Sequence, residues 1–128
     1  MAKGYWIASL DVSDSDTYKR YVKNNAEAFA KYGARFLTRG GKFHQLEGHN
    51  RSRNVVLEFD SVERALECYW SPEYQRARAI RDPISVGDII IMAGYDGPQP
   101  PEQPGELAQV EKTVDHGFYN EGFHASVV

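Results

Sequence analysis

Two charged residues, Arg39 and Glu58, lie at strand positions from which their side chains could act on a small molecule. Arg39 ends a short β-prone segment beside a Gly-Gly turn. Glu58 projects from a strand on the face opposite Val55, Leu57 and Phe59. An unpaired carboxylate on a covered face is costly, so Glu58 is a candidate general base and Arg39 a candidate for holding a substrate carboxylate through two hydrogen bonds. The alternative is that the two side chains pair with each other or meet solvent.

Aromatic and amide side chains form a second candidate group. Tyr21 and Asn25 share one side of a predicted helix with Tyr18, and Asn is mildly unfavourable inside a helix, so Asn25 should have a polar partner. These side chains could form the polar lining of a pocket between helix and sheet, or belong to a Tyr-rich core whose hydroxyls reach the surface. Tyr69, beside a predicted helix break, has the same two interpretations. The predicted substrate-binding residues are thus Arg39, Tyr21, Asn25 and Tyr69.

His44 follows the Gly-Gly turn and would lie near Arg39 if that turn closes a hairpin. Its imidazole could act as an acid or base near neutral pH, and a surface histidine is the alternative. His49, His116 and His124 show no metal-ligand spacing with it, so no metal site is predicted. The sequence contains no phosphate loop, dinucleotide fingerprint or nucleophile elbow, and no bound cofactor is expected.

The composition is that of an ordinary globular protein of 128 residues with a formal net charge of −3, which gives no electrostatic footprint for nucleic acid. The longest apolar run, residues 89–93, is far too short to span a membrane. The lone Cys68 excludes an intrachain disulfide, and its apolar helical setting predicts a buried, inert thiol rather than a nucleophile. The N-terminal residues show no signal-peptide pattern, and we therefore expect a cytoplasmic protein.

Hydrophobic periodicity predicts the elements that position these residues. Strands are expected at residues 5–12, 35–39, 54–59 and 87–94, and helices from an N-cap at residues 13–16 to about Tyr32, from an Asp60 cap to Trp70, and from Ser71 to about Arg81. Residues 43–47 are expected to return from the Gly-Gly turn as the hairpin partner of residues 35–39. The continuous apolar run in the last strand predicts burial on both faces. The helix after Asp60 is expected to point its apolar residues inward, namely Val62, Ala65, Leu66, Tyr69 and Trp70.

The order β-α-β-β-α-β is the split pattern of a ferredoxin-like α+β sandwich. After Tyr95 the composition changes, because residues 96–105 contain four of the six prolines and read as an extended linker. Residues 106–116 could form a short helix, and the aromatic end could dock on its own domain or on a partner subunit. We predict a ferredoxin-like domain at residues 1–95, and a Pro-rich linker with a C-terminal tail at residues 96–128.

Four segments in order, GYWIASLDV, NAEAFAKYGARFLTRGG, NVVLEFDS and YWSPEYQ, resemble the family catalogued as domain of unknown function 1330, in the dimeric α+β barrel superfamily. The resemblance covers residues 3–94. It implies that two protomers pack sheet against sheet into a barrel-like homodimer, which would cover the second faces of the strands. The loop at residues 49–53 and the tail from Tyr95 onward depart from the usual pattern of the family.

Two functional hypotheses follow. Related dimeric barrels often act on small acidic or aromatic substrates by proton transfer or oxygen chemistry, and by that analogy Glu58 or His44 would move a proton while Arg39 and Tyr21 orient the substrate. The alternative is a noncatalytic binding or assembly module. A pocket of roughly 300 Å³ or more that both Arg39 and Glu58 face would favour the enzyme. A filled interior with the two paired outside would favour the module.

Overall fold

The computed structural model of the protein describes residues 2–101. In chain order its elements are β1 (Gly4–Val12), α1 (Ser15–Lys31), β2 (Arg35–Arg39), β3 (Arg53–Phe59), α2 (Val62–Trp70), α3 (Pro72–Arg81), a 3₁₀ turn (Asp82–Ile84) and β4 (Ser85–Ala93). The chain divides into two units, Met1–Gly94 and Tyr95–Val128, and all of these elements belong to the first. The helix predicted at residues 106–116 and the docking of the tail lie outside the described residues.

The described strands form one antiparallel sheet in the order β2-β3-β1-β4. The helices cover the face that carries Trp6 and Leu57, which pack with Phe29 of α1, Ala65 of α2 and Ala77 of α3. This arrangement confirms the predicted ferredoxin-like α+β fold. The other face, here called the open face, carries Tyr5, Ile7, Val56, Glu58, Ile90 and Met92. None of the helices within residues 2–101 is long and apolar enough to cross a membrane.

Trp6 is the centre of the core and is 1% exposed. Its ring lies 4.8 Å from that of Tyr74 and 5.4 Å from that of Phe29, both edge to face, which is a favoured geometry for aromatic pairs. Cys68 is fully buried in the same core, as predicted, and its thiol lies 3.8 Å from the carbonyl oxygen of Ala28. Alternating apolar residues on β1 and aromatic residues on the helices therefore build one core under one face of the sheet.

Local signals account for most helix boundaries. The Asp14 carboxylate accepts hydrogen bonds from the first free backbone amides of α1, at Asp16 and Thr17, and Gly33 follows the helix with a φ of 73°. Ser71 caps α3 as predicted, with proline at its first turn. The cap of α2 differs from the prediction, because Ser61 rather than Asp60 accepts from the amide of Arg64.

The predicted hairpin partner at residues 43–47 is wrong, since residues 41–52 form a loop and β2 pairs with β3 instead. The Gly40 amide donates to the Asn54 carbonyl at 2.9 Å, so the chain remains bound to β3 at the turn. Inside the loop, the side-chain amide of Gln45 donates to the backbone carbonyl oxygens of Glu47 and Gly48, and its oxygen accepts from the backbone amide of Asn50. These local bonds satisfy the backbone groups that a strand would have paired.

Two burial expectations also need correction. Ile89 and Ile91 of β4 pack on the core, but Val86, Ile90 and Met92 on the open face are about half exposed or more. On α2 the buried residues are Ala65 and Cys68, whereas Leu66 and Trp70, which were expected to point inward, are exposed. In both elements the apolar residues outnumber the positions that the core can cover.

A β-bulge in β2 decides where Arg39 points. Phe36 pairs with Leu57, but the next pair is Thr38 with Val56, so one extra residue lies on the β2 side. Without it, the alternation of side chains would send Phe36 and Arg39 to opposite faces. The bulge places Arg39 opposite Val55, on the helix-covered face with Phe36.

Candidate functional site

A cavity lies between α1 and the helix-covered face of the sheet. Its empty space is about 380 Å³ including the open mouth, and the centre of a water molecule can occupy about 20 Å³ of it, which is room for about one water. Most of the wall is apolar or aromatic. The lining residues are Trp6, Ala8, Leu10, Tyr18, Tyr21, Val22, Asn25, Phe29, Phe36, Arg39, Arg53, Val55, Leu57 and Ile89.

Two arginines are the charged residues of this lining. Arg39 is exposed, and its guanidinium carbon lies 4.0 Å from the centre of the Phe36 ring. Arg53, the first residue of β3, is half-buried, and its Nε donates to the Tyr18 hydroxyl at 2.9 Å. Gly40 makes room for it, since a Cβ at that position would overlap the Arg53 guanidinium. No carboxylate within residues 2–101 forms an ion pair with either arginine.

The deep wall of the cavity offers an amide and a phenol from one side of α1. Asn25 is 4% exposed, and no group in the described part of the chain hydrogen-bonds to its Oδ1 atom. Tyr21, one turn earlier, is 5% exposed, and its hydroxyl lies 2.9 Å from that of Tyr74. Burial raises the pKa of both Tyr21 and Tyr74, so both hydroxyls stay protonated at neutral pH.

Arg81 lies behind the two tyrosines and is 6% exposed. Its Nη2 lies 3.5 Å from the Tyr74 hydroxyl, its Nη1 donates to Ser85 Oγ at 3.3 Å, and its guanidinium carbon is 5.4 Å from the centre of the Tyr21 ring. A line of polar groups thus runs from Arg81 through Tyr74 and Tyr21 to the cavity. Such a buried polar line is unusual in a core that is otherwise aromatic and aliphatic.

Three of the predicted site residues, Arg39, Tyr21 and Asn25, meet at this cavity. Tyr69 lies in a neighbouring open groove between α2 and β4, with Leu66, Trp70, Ile89 and Ile91. The cavity is therefore built from one side of α1 and from the helix-covered face of the described strands, with Arg39 at the bulged end of β2.

The two predicted catalytic residues lie elsewhere. Glu58 projects from the open face, where its carboxylate accepts from the Tyr5 hydroxyl at 3.1 Å, and it forms no ion pair with Arg39, which faces the opposite side of the sheet. His44 is an exposed residue of the loop that replaces the predicted hairpin. Neither residue lines the cavity, so general acid or base chemistry there would require other groups.

Sequence reasoning missed Arg53, because it assigned residues 49–53 to a polar loop. The sequence did contain a pattern that indicates Arg53, because Arg53 continues the alternation of Val55, Leu57 and Phe59. In the structure it pairs with the buried Leu10. The roles of Tyr74 and Arg81 were missed for a different reason, because they depend on contacts between α1 and α3. Within residues 2–101, no group of three metal-ligating side chains is close enough to hold a metal ion.

Solved structures with the same fold confirm the architecture. A protein of unknown function from Rhodopseudomonas palustris is 17% identical, with a TM-score of 0.61 over 78% of this chain and 85% of that chain. A putative antibiotic biosynthesis monooxygenase from Caulobacter crescentus is 15% identical, with a TM-score of 0.52 over 77% of this chain and 92% of that one. The cofactor-independent oxygenase SnoaB from Streptomyces nogalater is 9% identical, with a TM-score of 0.51 over 80% of this chain and 100% of that one.

No curated protein matches this chain by sequence. A family model, in contrast, matches residues 3–95, which include every strand and helix described above. The chain therefore belongs to the family described as Domain of unknown function (DUF1330).

Proposed function

We propose that the protein binds a small aromatic molecule with an anionic group in the cavity between α1 and the sheet. The observation that carries this proposal is the pair of guanidinium groups, Arg39 and Arg53, which line an aromatic cavity without a carboxylate partner in residues 2–101. A planar guanidinium matches a carboxylate with two parallel hydrogen bonds, and it can also donate to the single oxygen of a phenolate. The rings of Trp6, Phe29 and Phe36 supply the apolar wall for an aromatic body.

The ligand would enter past Arg39. The cavity is narrow, with room for about one water, so an aromatic ring requires side chains at its mouth to move. Arg39 is exposed at the end of an edge strand, and its guanidinium stacks on Phe36 without a described ion pair. A change of the Arg39 side-chain rotamer therefore costs little free energy. Closing again over a bound anion would place its charge beside the ligand in a partly desolvated site, where the attraction is strongest.

The chemistry that this lining offers is stabilisation of an anion. Arg39 and Arg53 would lower the pKa of a bound phenol or enol, and the cavity lining supplies no carboxylate or imidazole as a base. An electron-rich anion of this kind can reduce dioxygen directly, which is the enzymatic form of the proposal and parallels SnoaB, a cofactor-independent oxygenase. The second candidate is binding without catalysis, in which the anion is held and not converted.

We also propose that the protein is a homodimer that covers the open face. Ile7 pairs with Val56 on one side and with Ile90 on the other, and Met92 pairs with Tyr5, so these apolar side chains form one patch. Ile90 is 53% and Met92 49% exposed in the protomer. A contiguous apolar surface across a sheet is what an interface between subunits buries. The lone, buried Cys68 fits the reducing cytoplasm that we propose as its location.

Titration calorimetry with benzoate and its neutral isostere benzamide tests the binding proposal. Benzoate should bind at least about tenfold more tightly, since a charged hydrogen bond contributes about 1.5–3 kcal/mol. The preference should disappear in Arg39→Gln/Arg53→Gln. Arg35→Gln, on the same strand but opposite Glu58 on the open face, is the matched control and should keep it. Equal affinity for the two probes in the wild-type protein would overturn the proposal.

Oxygen uptake separates the two candidate functions. The probe is 2,5-dihydroxybenzoate, an aromatic acid that dioxygen can oxidise by two electrons to the quinone, with hydrogen peroxide as the other product. The enzymatic form predicts uptake above the rate of the Arg39→Gln/Arg53→Gln variant at equal concentration. Tight binding of this probe with no excess uptake would instead support binding without catalysis.

Light scattering after size exclusion tests the dimer. The wild-type protein should have twice the protomer mass, and Ile90→Lys should have the mass of one protomer, because it introduces charge into the centre of the patch. Leu66→Lys, at a residue on α2 that is 43% exposed, is the control and should remain dimeric. A monomeric wild-type protein at high micromolar concentration would contradict the proposal.

A further inference from the structure

The hydrogen bonds behind the cavity have a fixed direction. Arg81 can only donate, so the Tyr74 oxygen accepts at the 3.5 Å contact with Nη2. Tyr74 is fully buried, and the Tyr21 oxygen at 2.9 Å is the acceptor within residues 2–101 that its own proton can reach. If Tyr21 donated to Tyr74 instead, the Tyr74 proton would be left without an acceptor, which costs about 1–3 kcal/mol. Tyr74 therefore donates to Tyr21.

The same direction is favoured on the Tyr21 side. Tyr21 lines the cavity, which has room for about one water, whereas Tyr74 is not among its lining residues, so the Tyr21 proton can reach a group there and the Tyr74 proton cannot. With its oxygen accepting from Tyr74, the Tyr21 hydroxyl keeps its own proton for a group in the cavity. One turn along the helix, Asn25 Oδ1 is a buried acceptor with no partner in the described structure. The deep end of the cavity thus presents one donor and one acceptor side by side.

We propose that Arg81 and Tyr74 hold the Tyr21 hydroxyl as a donor into the cavity, and that the ligand is a hydroxy-aromatic acid whose hydroxyl meets Tyr21 and Asn25. A hydroxyl group accepts one hydrogen bond and donates another, so it satisfies both residues at once. The anionic group, at the other end of the ring, meets Arg39 and Arg53. Tyr74 and Arg81 are positioning residues, because they act through Tyr21. This inference rests on the binding form of the proposed function in which Arg39 and Arg53 hold a carboxylate, and it adds the class of ligand.

Two benzoates of nearly equal size test the inference without any mutation. The probes are 4-hydroxybenzoate and 4-methylbenzoate, measured by titration calorimetry on the full chain. Both keep the carboxylate, so both should bind if the proposed function holds. The hydroxyl should improve affinity at least about tenfold, since the methyl group leaves Tyr21 and Asn25 unpaired in a buried site. Equal affinities would overturn the inference and leave the proposed function standing, whereas binding of neither probe would overturn both.

Variants then separate positioning from simple packing. Tyr74→Phe keeps the ring in the core and removes the hydroxyl that fixes Tyr21, so the preference for 4-hydroxybenzoate should fall about fivefold or more while affinity for 4-methylbenzoate is unchanged. Tyr21→Phe should abolish the preference. If Tyr74 had a purely structural role, Tyr74→Phe would weaken the binding of both probes equally, and that result would refute its positioning role. Arg81→Lys, which keeps the charge with fewer donors, should give an intermediate preference.

Discussion

Replacing Asn25 by leucine should make the protein more stable. Asn25 is 4% exposed and its Oδ1 has no hydrogen-bond partner within residues 2–101. A buried acceptor without a partner costs about 1–3 kcal/mol, and the side chain of leucine has the same number of heavy atoms as that of asparagine. Burial of the apolar surface of leucine acts in the same direction, so we expect a net gain of about 1–2 kcal/mol.

The neighbouring residue provides a matched control. Asn24 is exposed and its amide donates to the Arg20 carbonyl of the same helix at 2.7 Å. Asn24→Leu therefore gains the same helix propensity as Asn25→Leu but no relief of a buried polar atom. We expect its free energy of unfolding to stay within about 0.5 kcal/mol of the wild-type value. The difference between the two variants isolates the effect of the buried acceptor.

Urea denaturation followed by circular dichroism measures both variants. Asn25→Leu should raise the midpoint without changing the slope, because the same surface is exposed on unfolding. It should also weaken the binding of 4-hydroxybenzoate, so that stability and affinity change in opposite directions. If Asn25→Leu proved less stable than Asn24→Leu by about 1 kcal/mol or more, Asn25 would have to be satisfied in the folded protein. The argument for a ligand at its Oδ1 would then fail.

Three further predictions concern single positions outside the binding residues. Burial raises the pKa of the Cys68 thiol to about 12, so the native protein should not react with a thiol reagent at pH 8, whereas the unfolded protein should react at once. A rapid reaction of the native protein would contradict the burial of Cys68 in the core. Gly40→Ala should destabilise the protein by about 1 kcal/mol or more, since Gly40 has a φ of 69° and its Cβ would overlap Arg53, whereas Gly41→Ala, with open space around it, should not. Hydrogen bonds from the backbone and side chain of Thr17 lower the pKa of Asp14 in the folded protein. The helix cap that Asp14 forms therefore stabilises the fold at pH values above the pKa of Asp14 in the unfolded chain, and this stabilisation is lost as the pH falls through the pKa of Asp14 in the folded protein. The melting temperatures of the wild-type protein and of Asp14→Ala should differ at pH 7 and converge in acid.

The position of the elements could be predicted well because the evidence for them is local. Alternation in β1 and the spacing of Tyr18, Tyr21 and Phe29 report which face each element buries, and these are the faces that the core uses. The caps at Asp14 and Ser71 depend on residues within one turn of the helix start. Part of the candidate site could be predicted for the same reason, because Tyr21 and Asn25 lie on the same side of one helix.

The strand pairing could not be predicted in the same way. The turn at Gly40 is compatible with a hairpin to residues 43–47, but the loop closes its own hydrogen bonds around Gln45 and β2 pairs with β3. Whether β2 pairs with residues 43–47 or with β3 depends on the free energy of the whole sheet rather than on the turn. The exposed side chains on the open face were expected to be covered, and that expectation depends on a second protomer.

The sequence by itself determined most of the elements, their order and most of the buried faces, because each of these follows from residue types at short spacing. It also indicated the family, through four segments that resemble it in order. Only the tertiary structure decided which polar residues share a site. The bulge between Phe36 and Thr38 turns Arg39 toward the cavity, and it exists because β2 and β3 pair with one residue of mismatch. The same pairing extends β3 to Arg53, and the packing of α3 on α1 brings Arg81 and Tyr74 behind Tyr21. Contacts between residues distant in sequence set these positions, and spacing along the chain does not encode them.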